Sequence, residues 1–301
     1  MSTTRTGHHG PMTYDGQSQT DTAQKVPWYT ENITSIDPAG RKLLEQYSKI
    51  AAEEVLPHVL RIRDEAFKVW PYACIGQVRF LSYTIPHHPY YEPTLTRLRA
   101  GATFLDAGCC FGQELRFLVH QEGIPGKQLY GFDLEQGFLD MGYELFRDRE
   151  RLGAGMFVGN LLADGDDSAA PEAQQLHAHE GKMDIVHVAS VLHSWRWDNQ
   201  VRAAKRLVKL SKPQAGSMII GNQMGSVNAG HYPMPTGIGY NYRHHEASMM
   251  RFWEQVGEET ASKWKVESGL FLPAVVKENL EHSWAKSDPG LRMIWFMATR
   301  L

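Results

Sequence analysis

Apolar positions along this chain fall into two regimes. Up to about residue 101 they keep helical spacing. Val59, Ile62, Ala66, Val69 and Trp70 share one face of a helix expected to follow Pro57. Asp37-Pro38 pairs an N-cap acid with a first-turn proline and predicts an earlier helix to about Tyr47. "YYEPTLTRLRAG" (90–101) carries a third helix, closed by Gly101. Between the second and third, "YACIGQVRFLSYTIP" (72–86) breaks the period and reads as extended, with a turn at Gly76. From Thr103 onward, short apolar runs alternate with amphipathic stretches. Strands are expected at 103–106, 129–133, 156–160, 183–190 and 216–223. Helices are expected from Gln113, over 137–152, and from a cap at Asp198 to about Leu210. Residues 163–181 read as a polar loop with a short helix, and 224–245 as irregular. Met249, Phe252, Trp253 and Val256 mark a last long helix, and 263–273 and 291–301 two final strands.

Alternating strands and helices imply parallel β-α-β units. Five such units, followed by two strands on a short connection, place the last strand antiparallel in an otherwise parallel sheet. That plan resembles the class I S-adenosylmethionine (SAM)-dependent methyltransferases, which bind their ligand outside the carboxyl ends of the strands. The expected fold class is α/β: a Rossmann-like doubly wound sheet of seven strands over 102–301. A helical cap on the substrate side precedes it at 27–101, after a disordered polar tail at 1–26.

Composition narrows the field. Hydrophobic residues make up 42% and charged residues 22% of 301, enough for a large core. A net charge of −3 without a Lys/Arg run argues against a nucleic-acid partner. No apolar stretch approaches the ~20 residues of a membrane span, and the N-terminus lacks the apolar core of a signal peptide. Cys74, Cys109 and Cys110 offer no disulfide framework, so a cytoplasmic protein is expected. "GHHG" near the N-terminus reads as solvated tail, and no metal site is expected.

The candidate chemistry centres on "DAGCCFGQE" (106–114), directly after the first strand. Its D-x-G-x-C-x-G spacing is not the G-x-G-x-x-G of a pyrophosphate loop. SAM carries no phosphate and does not need that loop. Asp106 can order the turn or meet the cofactor's ammonium group. Gly108 and Gly112 allow a tight turn, and Cys109, Phe111 and Gln113 complete the candidate loop. Asp133, at the end of the second strand, is placed to accept from ribose hydroxyls, or else caps the next helix, with Leu134 beside the adenine. Asn160 and Leu161 follow the third strand, as an adenine contact or an ordinary turn. His187 and Ser190 sit near the end of the fourth. The vicinal cysteines lack zinc-ligand spacing and read as loop packing, with a reactive thiol as the lesser alternative.

Five stretches, "DAGCCFGQELRFL", "YELFRDRERL", "PYACIGQVRFL", "AKRLVKL" and "GSVNAGHYP", resemble the O-methyltransferases of fungal meroterpenoid biosynthesis. These serve the austinol, terretonin and andrastin types of cluster. The similarity spans Trp28 to Leu301. It implies SAM as cofactor, a homodimer, and methyl ester formation on a farnesylated, dimethylorsellinate-type aromatic acid. Asn160 departs from the acid expected after the third strand.

A carboxylic acid, with pKa about 4, is already ionised at neutral pH, whereas a phenol near 10 needs a base, most often His. His193 and His231 are the candidate catalytic residues. Trp28, Tyr29, Arg79, Trp195, Tyr232 and His244 are the candidate substrate wall, their aromatics suiting an apolar acid. An Arg clamped directly on the attacking oxygen would quench it. "HYPMPTGIGYNY" (231–242) has the glycines and prolines of a lid. The alternatives are phenol O- or C-methylation and a catalytically silent SAM-binding subunit.

Overall fold

The computed structural model describes residues 28–163, 171–234, 239–279 and 287–301. The expected tail at 1–26 lies outside the described residues. In the N-terminal region α1 (Pro38–Gln46) starts where expected, with the Asp37 carboxylate accepting from the Ala39 N–H at 2.9 Å. α2 (Ala52–Val69) begins ahead of Pro57 and carries it inside the helix. The buried stripe Val55, Val59, Ile62 and Ala66 runs straight past the proline, so burial outweighs its missing N–H. The stretch expected to be extended is instead a short helix, α3 (Ala73–Gly76), followed by single 3₁₀ turns at Arg79–Leu81 and Ile85–His87. The Gly76 carbonyl accepts from the Thr30 N–H at 3.2 Å, and the glycine packs against Phe67 and the Trp28 carbonyl, so tertiary contact sets this turn. α4 (Tyr91–Arg99) ends just before Gly101, whose φ is +92°.

The doubly wound part follows in chain order: β1 (Phe104–Ala107), α5 (Gln113–His120), β2 (Leu129–Asp133), α6 (Gln136–Phe146), β3 (Gly155–Val158), α7 (Pro171–Ala178), β4 (Ile185–Ala189), α8 (Trp197–Leu210) and β5 (Met218–Ser226). Next come the hairpin β6 (Gly230–Pro233) and β7 (Tyr240–Arg243), then α9 (Glu246–Glu259), β8 (Trp264–Phe271), α10 (Ala274–Asn279) and β9 (Leu291–Arg300). Seven strands form one sheet in the order β3-β2-β1-β4-β5-β9-β8. β1 to β5 are parallel, and β9 inserts antiparallel between β5 and β8. The class I methyltransferase plan is thus present, with its antiparallel last strand. The stretch read as irregular after β5 holds the β6–β7 hairpin, paired from Gly230–Arg243 to Pro233–Tyr240. Its alternation was hidden by glycines and prolines.

Each face of the sheet has its own core. One joins Phe104, Leu129, Ile185 and Ile220 to the cap helices, α5 and α6. The other joins Leu105, Val186 and Ile219 to α8 and α9. α6 stops at Phe146, short of the expected 152, because Arg147 turns into the left-handed region at φ +50°. That turn carries Asp148 into the protein. Its carboxylate takes the Arg116 guanidinium bidentately, Nε to Oδ2 and Nη2 to Oδ1, each at 2.8 Å, with both side chains fully buried. The Tyr47 hydroxyl of the cap donates to the same carboxylate at 2.7 Å. Arg116 Nη1 donates to the carbonyls of Phe111 and Gly112 at 2.6 and 3.2 Å.

Removing one partner of such a pair leaves the other charge buried alone. Asp148→Ala is expected to destabilise the fold by about 3–5 kcal/mol, measured as a lower urea midpoint at unchanged slope. A loss below about 1 kcal/mol would mean that water reaches Arg116.

Candidate active site

The carboxyl ends of β1, β2, β4 and β5 converge on one rim, and the loop after β1 forms its floor. Gly108, Cys110 and Gly112 all lie in the left-handed region, at φ +75°, +52° and +66°. Glycine adopts that conformation freely, whereas a non-glycine residue there costs about 1–2 kcal/mol. The Gly108 and Cys109 N–H groups both donate to the Phe132 carbonyl, at 2.8 and 2.9 Å. A Cβ at Gly108 would run into the Val191 side chain of the loop after β4. The glycine therefore lets two strand ends meet. Cys109 is buried, its Sγ over Gly131, and Phe111 is fully buried. Burial pushes the Cys109 and Cys110 thiols well up, so both stay protonated and neither is an activated nucleophile.

Asp133 holds the Cys110 loop from below. Its Oδ2 accepts the Cys110 N–H at 2.8 Å and its Oδ1 the Glu135 N–H at 3.2 Å. Burial lifts its carboxyl to about 6 against these donors. A carboxylate has lone pairs beyond two hydrogen bonds, so Asp133 still has room to accept from a ligand. Leu134 beside it is exposed. Asn160 turns its Oδ1 onto the Leu162 N–H at 2.8 Å, an Asx turn that leaves only its amide N–H groups to face outward, and Leu161 is buried.

Asp106 and His187 face each other across β1 and β4. Their Oδ1 and Nδ1 are 2.8 Å apart and both residues are buried. Burial opposes charge on His187, but Asp106 and then Glu114 outweigh it and hold the imidazole above its usual range. Glu114, one residue past Gln113, accepts from the Thr84 N–H and hydroxyl at 2.5 and 2.8 Å, tying the cap to α5. Ser190, exposed at the end of β4, has φ +57°.

His193 sits in the 3₁₀ turn Leu192–Ser194, and its Nδ1 accepts the Met224 N–H at 3.1 Å. Burial, then the Arg243 and Arg79 guanidiniums, push it down to about 4. The hairpin clips onto the same turn. Asn241 Nδ2 donates to the His193 carbonyl and the Tyr242 N–H to the Trp195 carbonyl, both at 3.0 Å. Trp195 is half-buried there. Tyr232 donates to the Asn228 carbonyl at 2.6 Å and lies under the Arg243 guanidinium, 4.7 Å from its centre. His231 is exposed on the hairpin, its ring 5.1 Å from that of Tyr242.

His244 does not join the substrate wall. It is fully buried, Nε2 against Gln200 Oε1 at 3.1 Å and Nδ1 against Ser248 Oγ at 3.2 Å. Burial holds it down at about 3, so it is a neutral residue of the core beneath the hairpin. Trp28 donates its indole N–H to the Pro71 carbonyl at 2.8 Å and is buried, while Tyr29 donates to Asp64 at 2.7 Å. Both fasten the first described residues to α2 and the turn after it. Residues 235–238 of the expected lid lie outside the described residues.

The rim fits SAM on two observations. The left-handed loop presents backbone rather than side chain. Three buried polar atoms, Gln113 Oε1, His187 Nε2 and Asn222 Oδ1, have no partner near the ends of β1, β4 and β5. Sequence reasoning passed over Thr84, Glu114, Arg116, Asp148, Asn222 and Arg243. Only the charges inside the apolar helix "QELRFLVH" hinted at the first group.

Loop geometry makes a testable contrast. Cys110→Gly removes left-handed strain but frees the unfolded chain, two terms of similar size. It is expected to keep SAM affinity within about threefold. Gly108→Val adds a branched side chain at positive φ against Val191 and is expected to abolish binding. Calorimetric titration of both variants with SAM checks this. Loss of binding in Cys110→Gly would give the thiol a role beyond packing.

Two family models match the chain: the meroterpenoid methyltransferase N-terminal domain over residues 28–81 and a methyltransferase domain over 105–219. The chain is 44% identical over 244 residues to the O-methyltransferase phiE of Fungal sp., covering 80% of this chain and 78% of that protein. It is 43% identical over 248 residues to the O-methyltransferase atr3 of Stereocaulon alpinum, covering 81% and 69%. The Asnovolin E/Chermesin D methyltransferase nvfJ of Aspergillus novofumigatus is 38% identical over 235 residues, covering 78% and 82%. No helix among the described residues is long and apolar enough to cross a membrane. The chain thus belongs to the fungal meroterpenoid methyltransferase family, and it is an enzyme of class I fold that uses SAM as its cofactor.

Proposed function

We propose that this protein, as a homodimer, forms a methyl ester on the carboxylate of a farnesylated, dimethylorsellinate-type aromatic acid. The observation that carries this reading is the state of His193. Its Nδ1 lone pair is taken by the Met224 N–H, and burial with two guanidiniums keeps the ring neutral at physiological pH. A base for a phenol needs a free lone pair and a pKa near the working pH. His193 has neither, and its remaining Nε2–H is a donor. A neutral donor beside guanidiniums suits an acceptor that arrives already anionic and needs only alignment and a dry surrounding.

Bound SAM supplies a methyl group on a sulfonium, a leaving group that needs no acid. The chain's own residues bind, orient and exclude water. Asp133 accepts from the ribose hydroxyls, Leu134 covers the adenine, and the Asn160 amide donates to the adenine edge. The loop from Gly108 to Gly112 seats the methionine end. His193 Nε2–H holds the acceptor anion, and Trp195 and Tyr232 with the hairpin form its apolar wall.

Transfer of tritiated methyl from SAM to a farnesylated dihydroxybenzoic acid is expected to give label released by mild alkali. Label that survives alkali would overturn the ester. The sign of the His193 shift gives a second test. A group lowered to about 4 is neutral throughout the ordinary histidine range. At saturating SAM, kcat is therefore expected to be level between about pH 5.5 and 8. A rise through an ordinary histidine pKa would instead reveal a general base.

A further inference from the structure

Among the described residues, three buried basic side chains have an acidic partner: Arg116 meets Asp148, Arg243 meets Asp288 at 2.8 Å, and His187 meets Asp106. Arg79 is half-buried. Among the described residues no carboxylate pairs with its guanidinium, and its Nε is buried without a hydrogen-bond partner. The neighbouring Gln77 Oε1 is buried and unpartnered too. The backbone is strained where it presents this side chain. Val78, a β-branched residue, has φ +56°, with its N–H on the Ile75 carbonyl at 2.9 Å. Strain of this kind persists only where the surroundings enforce it, and it gathers at binding sites. The turn is fixed against the cofactor loop, since Phe80 meets Phe111 edge-on at 4.7 Å. Arg79 adjoins Phe80 in that turn, which sets it beside the cofactor loop, and its charge also bears on His193.

We propose that Arg79 is the specificity-determining residue that receives the acceptor's carboxylate, pairing with the oxygen that does not attack. The inference rests on the reading of the acceptor as a carboxylic acid. A guanidinium offers a permanent charge and several N–H donors, enough to hold a carboxylate end-on by one oxygen. Held by one oxygen, the acid keeps the lone pairs of the other for the methyl carbon. Esterification removes the negative charge, so the product loses the ion pair that held the substrate. Arg79 thereby selects acid over ester and speeds product departure.

The test uses the full chain saturated with S-adenosylhomocysteine, titrated with a farnesylated dihydroxybenzoic acid and with its methyl ester. The wild type is expected to bind the acid about 10–100-fold more tightly than the ester. Arg79→Gln is expected to remove that preference, to raise KM for the acid by a similar factor, and to leave the Kd for SAM unchanged. Arg79→Lys is expected to restore part of the preference, and it carries the test should the Gln variant lose its fold. Retention of the preference in Arg79→Gln overturns the proposal, as does a wild type without it. A raised Kd for SAM at unchanged KM also overturns it, assigning Arg79 to the cofactor's own carboxylate. Alkali-stable label in the wild type would defeat the ester reading itself, whatever the Arg79 variants do.

Discussion

The buried ion pair of Arg116 and Asp148 is the constraint on which the site depends. Two charges taken out of water are tolerable only with near-complete pairing, and here all three guanidinium nitrogens are engaged. Two guanidinium nitrogens grip the carboxylate, and the third holds the carbonyls of Phe111 and Gly112. Because the pair cannot shift without exposing a bare charge, the loop after β1 cannot shift either. The Tyr47 hydroxyl on the same carboxylate extends that rigidity into the cap.

The cap and the sheet domain are joined by several such polar contacts beneath the cleft. Thr84 grips Glu114, one residue beyond Gln113, and Phe80 packs on Phe111. On the opposite rim, the hairpin is pinned to the turn carrying His193 and Trp195. The rim at the carboxyl ends of the strands therefore lies between two braced segments, and Val78, Cys110 and Ser190 adopt left-handed backbone. Their strain is held by surroundings that leave the backbone no alternative.

Charge is arranged by the same logic. Histidines that the sequence could only list as candidates separate by environment. His187 is drawn toward the charged form by Asp106, His193 and His244 are held neutral by burial, and His231 is exposed. No pattern in the sequence distinguishes these states, since each depends on what packs around the ring.

By itself the sequence determined the architecture. Alternating runs of apolar residues from Thr103 onward dictate the parallel units, because each strand and helix must bury its own stripe locally. The spacing of Asp106, Gly108 and Gly112 likewise signals a tight turn at the carboxyl end of β1, since a strand end and a tight turn are local features. Tertiary structure decided the rest. It carried α2 through Pro57, folded 73–87 into turns instead of an extended segment, and paired β6 with β7 across an interval without a clear period. It also buried His244, joined Asp106 to His187, and left Arg79 without an acid among the described residues. These outcomes rest on contacts between residues far apart in the chain, where desolvation and pairing outweigh local preference.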